Sequence, residues 1–111
     1  MYMKPEKEWK WVVLLYNSPF TKKMIGGSPG SRKDFRDLLK VSEKDATFED
    51  FFKELLAEGS IRFDGKEKNK TQKNVDVFFI DKEMMFRRLK NNALYNPSKK
   101  IIIEKDTLLA I

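Results

Sequence analysis

Gly59 separates a stretch with the hydrophobic period of a helix from a stretch with the period of a strand. Before it, five apolar side chains recur at positions i, i+3, i+4, i+7 and i+8, which places them on one helix face. They are Phe48, Phe51, Phe52, Leu55 and Leu56. After it, Ile61 and Phe63 alternate with polar residues. Because glycine accepts the left-handed backbone that ends helices, the sequence predicts a helix over residues 47–58 that leads directly into a strand.

This strand has a partner further along the chain. Residues 75–80 are rich in β-branched and aromatic side chains, which favours a second strand. The stretch between them opens with Asp64-Gly65, a turn signal, and carries no large apolar side chain. The sequence therefore predicts an antiparallel hairpin of residues 60–63 and 75–80, joined by a long polar loop.

Two other helices begin at capping residues. Ser31 is followed three positions later by Asp34, a capping-box signal, which predicts a helix over residues 31–41. Asp81 is a favoured N-cap residue and predicts a helix over residues 82–92.

The first predicted helix covers residues 6–17. Its apolar face consists of Trp9, Val12, Val13 and Tyr16. The β-branched and aromatic content leaves a strand as the alternative. Trp9 and Trp11 cannot both point inward from one narrow face, so one of them is a candidate for contact with a partner chain.

The length of 111 residues is that of one domain, and 41% hydrophobic residues suffice to form its core. We expect a mainly α fold with a small antiparallel β-hairpin, in the α+β class. The domain is predicted to span residues 1–96. Residues 97–111 contain two short apolar runs and are interpreted as a C-terminal tail that forms a strand or a dimer arm.

Two absences argue against catalysis. The chain has no cysteine and no histidine, so it lacks thiolate ligands, a cysteine nucleophile and the commonest general base. Asp64-Gly65-Lys66 is a weak match to the D-x-K element of metal-dependent nucleases, but no acid on a preceding strand completes it. We expect no enzyme activity, no cofactor, no metal and no small-molecule ligand.

The longest apolar run, residues 11–16, is far shorter than the roughly 20 residues that cross a bilayer. The N-terminus also lacks the order of a signal peptide. We therefore expect a cytoplasmic protein without membrane association. The net charge of +6 favours an anionic partner.

The predicted order is helix, helix, turn, helix, strand, polar loop, strand, helix, and residues 51–61 read FFKELLAEGSI. This order and this segment resemble the winged-helix (winged helix-turn-helix) superfamily, with residues 35–63 carrying most of the resemblance. The resemblance implies that residues 31–41 form a supporting helix. It also implies that residues 47–58 form the helix that in most relatives enters the major groove of DNA.

The charge of this last helix departs from that pattern. Its solvent face consists of Glu49, Asp50, Lys53, Glu54, Ala57 and Glu58. This face therefore carries four acids and one base. Acids repel phosphate, and the helix has no Arg, Asn or Gln, the side chains best shaped for bidentate base contacts. We expect this helix to contact DNA only at its start, through Thr47 with the preceding Ser42 and Lys44.

The polar loop, which corresponds to the wing, has the opposite charge. Between residues 62 and 73 there are five bases and two acids. The bases are Arg62, Lys66, Lys68, Lys70 and Lys73. Lysines on a hairpin suit contact with DNA phosphates, and Lys33 and Arg36 extend the positive surface. We predict a DNA-binding transcriptional regulator that contacts double-stranded DNA mainly through its wing. It is expected to bind as a homodimer, paired through residues 84–89 or 101–111.

Two other interpretations stay open. A lysine-rich loop often only protects the edge of a hairpin against aggregation. Alternatively, the chain is a winged-helix adaptor whose acidic third helix binds a basic protein through Glu49, Asp50, Glu54 and Glu58.

Five aromatic residues follow helical or strand periodicity and are expected in the core rather than as base-stacking groups. They are Phe48, Phe51, Phe52, Phe78 and Phe79.

Overall fold

The computed structural model describes residues 3–21, 26–68, 71, 73–96, 98–104 and 107–110, with the backbone alone for residues 103–104 and 107–110. The described residues form four helices and five strands. The helices are α1 (Pro5–Tyr16), α2 (Arg32–Leu39), α3 (Ala46–Glu58) and α4 (Lys82–Tyr95). The strands are β1 (Gly30–Ser31), β2 (Ile61–Lys68), β3 (Asn74–Ile80), β4 (Ile101–Glu104) and β5 (Thr107–Ala110).

Three helix ends confirm the predicted signals. Ser31 forms the capping box of α2: its hydroxyl accepts from the Asp34 N–H at 3.2 Å, and its own N–H donates to the Asp34 carboxylate at 2.9 Å. The Asp81 carboxylate accepts from the Met84 N–H at 3.0 Å and caps α4. Gly59 ends α3 with a φ of +86°. These caps satisfy backbone groups that a helix end leaves without partners.

Other boundaries differ from the prediction. Helix α3 begins one residue earlier than expected, because the carboxylate of Asp45 caps it by accepting from the Phe48 N–H at 3.0 Å. Helix α2 ends at Leu39, before residue 41, because Lys40 takes a left-handed φ of +57°.

Helix α4 runs three residues past the predicted end at residue 92. The amide of Asn92 is buried against α1, where it donates to the Pro5 carbonyl at 3.2 Å and to the Glu8 carboxylate at 2.7 Å. This polar residue is therefore an interhelical contact, and not the end of the helix.

The three-stranded antiparallel sheet has the order β1-β3-β2. Strands β2 and β3 pair from Ile61 opposite Ile80 to Lys68 opposite Asn74, so the prediction of residues 64–74 as a loop was wrong for most of its length. In this part of the hairpin β2 contributes only glycine and charged residues, and backbone pairing needs no apolar side chain. Strand β1 was not predicted, because two residues are too few to show a period.

The core lies between the helices and one face of this sheet, as the aromatic periodicity predicted. Four of the five aromatic residues expected there are buried, and Phe79 is partly buried. The ring centroid of Phe52 lies 5.5 Å from that of Phe35 and 5.1 Å from that of Phe78. These contacts join α2, α3 and β3.

The prediction that one tryptophan of α1 faces a partner was wrong, since Trp9 and Trp11 are each only 4% exposed. The Trp11 ring lies 5.5 Å from that of Phe51 on α3, and the Tyr16 ring lies 6.0 Å from that of Phe86 on α4. Helix α1 is thus covered on more than one side.

The mixed α+β class is confirmed. Both apolar runs of residues 97–111 form strands, β4 and β5, which pair with each other, and β5 lies against α1. None of the helices in the described ranges combines the length and the apolar composition needed to cross a bilayer.

Candidate nucleic-acid interface

The β2–β3 hairpin, residues 61–80, is called the basic hairpin below, and it contains a one-residue bulge. Phe63 lies opposite Phe78, but the next pair is Gly65 opposite Val77, so Asp64 is the extra residue. Gly65 has a φ of +115°, a conformation that residues with side chains rarely adopt. Because side chains alternate along a strand, the extra residue reverses the face that every later residue of β2 occupies.

The bulge determines where two of the predicted DNA contacts point. Lys66 lies opposite Asp76 and Lys68 lies opposite Asn74. By alternation along β3, these residues share the face of Phe78, the face on which α3 packs. The two lysines therefore extend this face beyond the core.

Arg62 lies apart from them. It is paired opposite Phe79, on the other face of the hairpin, and its guanidinium is 3.1 Å from the carboxylate of Asp81 at the start of α4. Without the bulge, Arg62 would share a face with Lys66 and Lys68. The sequence grouped these three bases, and the structure separates Arg62 from the two lysines.

The hairpin lysines are accessible to a ligand. The Lys66 ammonium is 3.9 Å from the Asp76 carboxylate, and both side chains are more than half exposed. An exposed ion pair of this kind contributes little to stability, so Lys66 can leave Asp76 and bind a phosphate instead. Lys68 and Lys73 are also exposed, and Lys70 lies outside the described residues.

The remaining predicted contacts lie on α2 and around the start of α3. Lys33 is exposed and donates to the Asp37 carboxylate at 2.9 Å, a hydrogen bond that raises the pKa of the Lys33 ammonium. Lys44 is exposed in the turn between α2 and α3, and Thr47 is partly buried in the first turn of α3. A cleft of about 830 Å³ between α2 and the basic hairpin brings Lys33 and Lys68 to one concave surface.

Arg36 is partly buried against α3. Its side chain is 17% exposed, and its guanidinium lies 3.5 Å from the Glu49 carboxylate of α3. Arg32 donates to the same carboxylate at 2.9 Å, and its guanidinium stacks 4.6 Å from the centre of the Phe52 ring. Glu49 therefore joins α2 to α3 instead of presenting a negative charge to solvent.

Arg88 of α4 holds two other acids of α3. Its guanidinium donates to Glu58, lies 3.4 Å from Glu54 and donates to Glu8 of α1 at 3.0 Å. Burial lowers the pKa of Arg88, but the hydrogen bond to Glu8 and the three carboxylate charges raise it by more, so the net shift is upward. Three of the four acids that the sequence assigned to the solvent face of α3 thus have arginine partners in the same chain.

Sequence reasoning missed this role of Arg88, as no local pattern marks it. Its hydrogen-bonded partners are 30 and 80 residues away along the chain. Only the antiparallel packing of α4 on α1 brings these groups together.

Phe63 is a second residue that sequence reasoning did not single out. It shares its face of β2 with Ile61, which is 1% exposed, but Phe63 itself is 57% exposed. It lies on β2, the edge strand of the sheet, where its ring packs against that of Phe78 at a centroid distance of 5.9 Å. The other eight phenylalanines are buried or partly buried.

Among the described residues, no group of three or more acidic side chains is arranged to hold a metal ion. Comparison with known proteins gives no relative: no protein-family model, no curated protein and no solved structure matches the chain.

Proposed function

We propose that the chain is a winged-helix DNA-binding protein, a small cytoplasmic transcriptional regulator that contacts duplex DNA mainly through the basic hairpin. The arrangement of α2, a turn, α3 and a long hairpin supports this fold, because it repeats the order on which the resemblance rests. The short strand β1 pairs with β3 and ties the start of α2 to the hairpin.

One observation carries the functional proposal: Lys66 and Lys68 lie two residues apart on one accessible face of the hairpin, and the bulge makes this the face that also carries Phe63. Lysines at alternate positions of a strand lie about 7 Å apart, so they can contact phosphates of one DNA backbone. Such contacts give affinity and orientation without reading sequence.

Helix α3 has a supporting role in this proposal. Pairing with Arg32, Arg36 and Arg88 offsets the charges of Glu49, Glu54 and Glu58, which lowers their repulsion of nearby phosphate. The same pairs reduce the negative charge that α3 offers to a basic protein. This favours DNA over a basic protein as the proposed partner.

The test is a salt titration of duplex binding with two variants of equal charge. K66A/K68A removes two hairpin lysines, and K99A/K100A removes two lysines next to β4, so both lower the net charge from +6 to +4. We expect K66A/K68A to weaken binding and to reduce the slope of log K against log salt by about 0.9 per lost phosphate contact. K99A/K100A should keep the wild-type slope. Equal losses in both variants would show that net charge alone drives binding, and would contradict a hairpin interface.

We also propose that the protein binds DNA as a homodimer. Of the segments expected to pair, residues 84–89 contribute Met85 and Leu89 to the chain's own core, where both are fully buried. Three apolar side chains next to this region are exposed instead, and they support pairing through the end of α4 and β4. They are Leu94 (77%), Tyr95 (73%) and Ile102 (41%).

Sedimentation equilibrium should give twice the mass of one chain for the wild type and the mass of one chain for L94E/Y95E, because charges oppose burial at an interface. A wild-type monomer, or a dimer that survives both substitutions, would refute this arrangement.

A further inference from the structure

The exposed ring of Phe63 has a fixed position on the basic hairpin. More than half of this large apolar side chain lies open to solvent, where its exposed surface adds nothing to the core. Its edge-on packing against the buried Phe78, with an angle of 68° between the rings, holds it in place from behind. The bulge begins at the next residue, Asp64, and bulges commonly redirect side chains at functional sites.

Two lysines follow this ring along its own face of the hairpin. Phe63 shares its face of the hairpin with Lys66 and Lys68, because the bulge moves both lysines to that side. By strand geometry they lie about 7 Å and about 14 Å from Phe63 along the hairpin. The acid on this face, Asp76, is already near the Lys66 ammonium at 3.9 Å.

An exposed aromatic ring beside a row of lysines matches one class of ligand. A nucleotide offers a flat π face and an anionic phosphate at a fixed distance, and stacking on aromatic side chains combined with backbone contacts is how proteins hold single strands. In an intact duplex the faces of the bases are covered by their neighbours, so a side chain on a strand cannot stack on them unless a base is unpaired.

We propose that Phe63 is a stacking platform for an unpaired base, so that the protein binds duplex DNA with a single-stranded extension more tightly than blunt duplex. This inference rests on the proposed DNA-binding function. In the bound state the base lies on the Phe63 ring, and the backbone of the same strand passes Lys66 and Lys68.

The experiment compares a blunt random duplex with the same duplex carrying a short oligo(dT) extension. We expect wild type to prefer the extended form by on the order of tenfold to a hundredfold, the range measured for stacking of one base. F63A and F63L should both lose this preference and bind the blunt duplex as wild type does, since leucine keeps the apolar contact but has no π face. L14A, which removes a partly exposed apolar side chain of α1, is the control and should keep the preference.

A second readout uses fluorescence. F63W should keep the preference, and its indole emission should be quenched by the extended duplex but not by the blunt one. Trp9 and Trp11 are buried, so the wild-type emission provides an unresponsive background.

Equal affinity of wild type for both DNA forms would overturn the stacking proposal, as would an equal effect of F63A on both. In either case, salt-dependent binding of blunt duplex would leave the proposed function standing. Absence of binding to either DNA would overturn both.

Discussion

At the scale of single residues, Arg88 shows how charge is organised in this protein. Its side chain is 15% exposed and meets carboxylates from two other helices, Glu8 of α1 and Glu58 of α3. A guanidinium fits such a site because its donors form a planar fork and its charge persists at all ordinary pH values. The excess of acids on α3 is therefore a requirement of helix packing.

Replacing Arg88 should be costly. We expect Arg88→Ala to lower the free energy of unfolding by about 2–3 kcal/mol, because it leaves partly buried carboxylates without their cation. Its neighbour Arg87 is the control: it faces Glu83 at 3.7 Å with both side chains exposed, and Arg87→Ala should change stability by less than about 0.5 kcal/mol. Urea unfolding measures both free energies. Similar losses of stability for the two variants would contradict the role of Arg88 in joining the helices.

At the scale of secondary-structure elements, the sequence predicted what local chemistry determines. The capping box at Ser31 and the helix end at Gly59 were predicted because their partners lie within a few residues. The length of the basic hairpin was not, since strand pairing past the core leaves no hydrophobic signal. The bulge at Asp64 was not predicted for a related reason: register depends on both strands, and the residues of β2 alone do not show that Asp64 has no partner.

Gly65→Val tests the importance of the bulge, because a β-branched residue strongly disfavours the φ of +115° that Gly65 adopts there. A ladder with simple alternation would place Lys66 and Lys68 on the opposite face of the hairpin. We expect weaker duplex binding at an unchanged net charge of +6. Deleting Asp64 is the control: it removes the extra residue, leaves Lys66 opposite Asp76 and should bind at least as tightly as wild type. Gel-shift titrations compare the two, and a Gly65→Val variant that binds as well as the deletion would show that the orientation of the lysines is unimportant.

At the scale of the whole molecule, the positive charge is unevenly placed. Residues 41–58 carry two bases and six acids, whereas residues 59–80 carry five bases and three acids. The structure ties most of the acids of α3 to arginines of α2 and α4, while Lys66, Lys68 and Lys73 of the basic hairpin stay exposed. We therefore propose that the hairpin contacts DNA and that α3 has a supporting role.

The most direct test of this assignment is the titration of ¹⁵N-labelled protein with a random-sequence duplex at low salt, followed by amide chemical shifts. We expect the largest changes in β2 from Gly65 to Lys68 and around Lys73 and Asn74, with smaller changes along the outer face of α3. Changes concentrated at Lys53 and Ala57 on α3, with the amides of the basic hairpin unmoved, would contradict it.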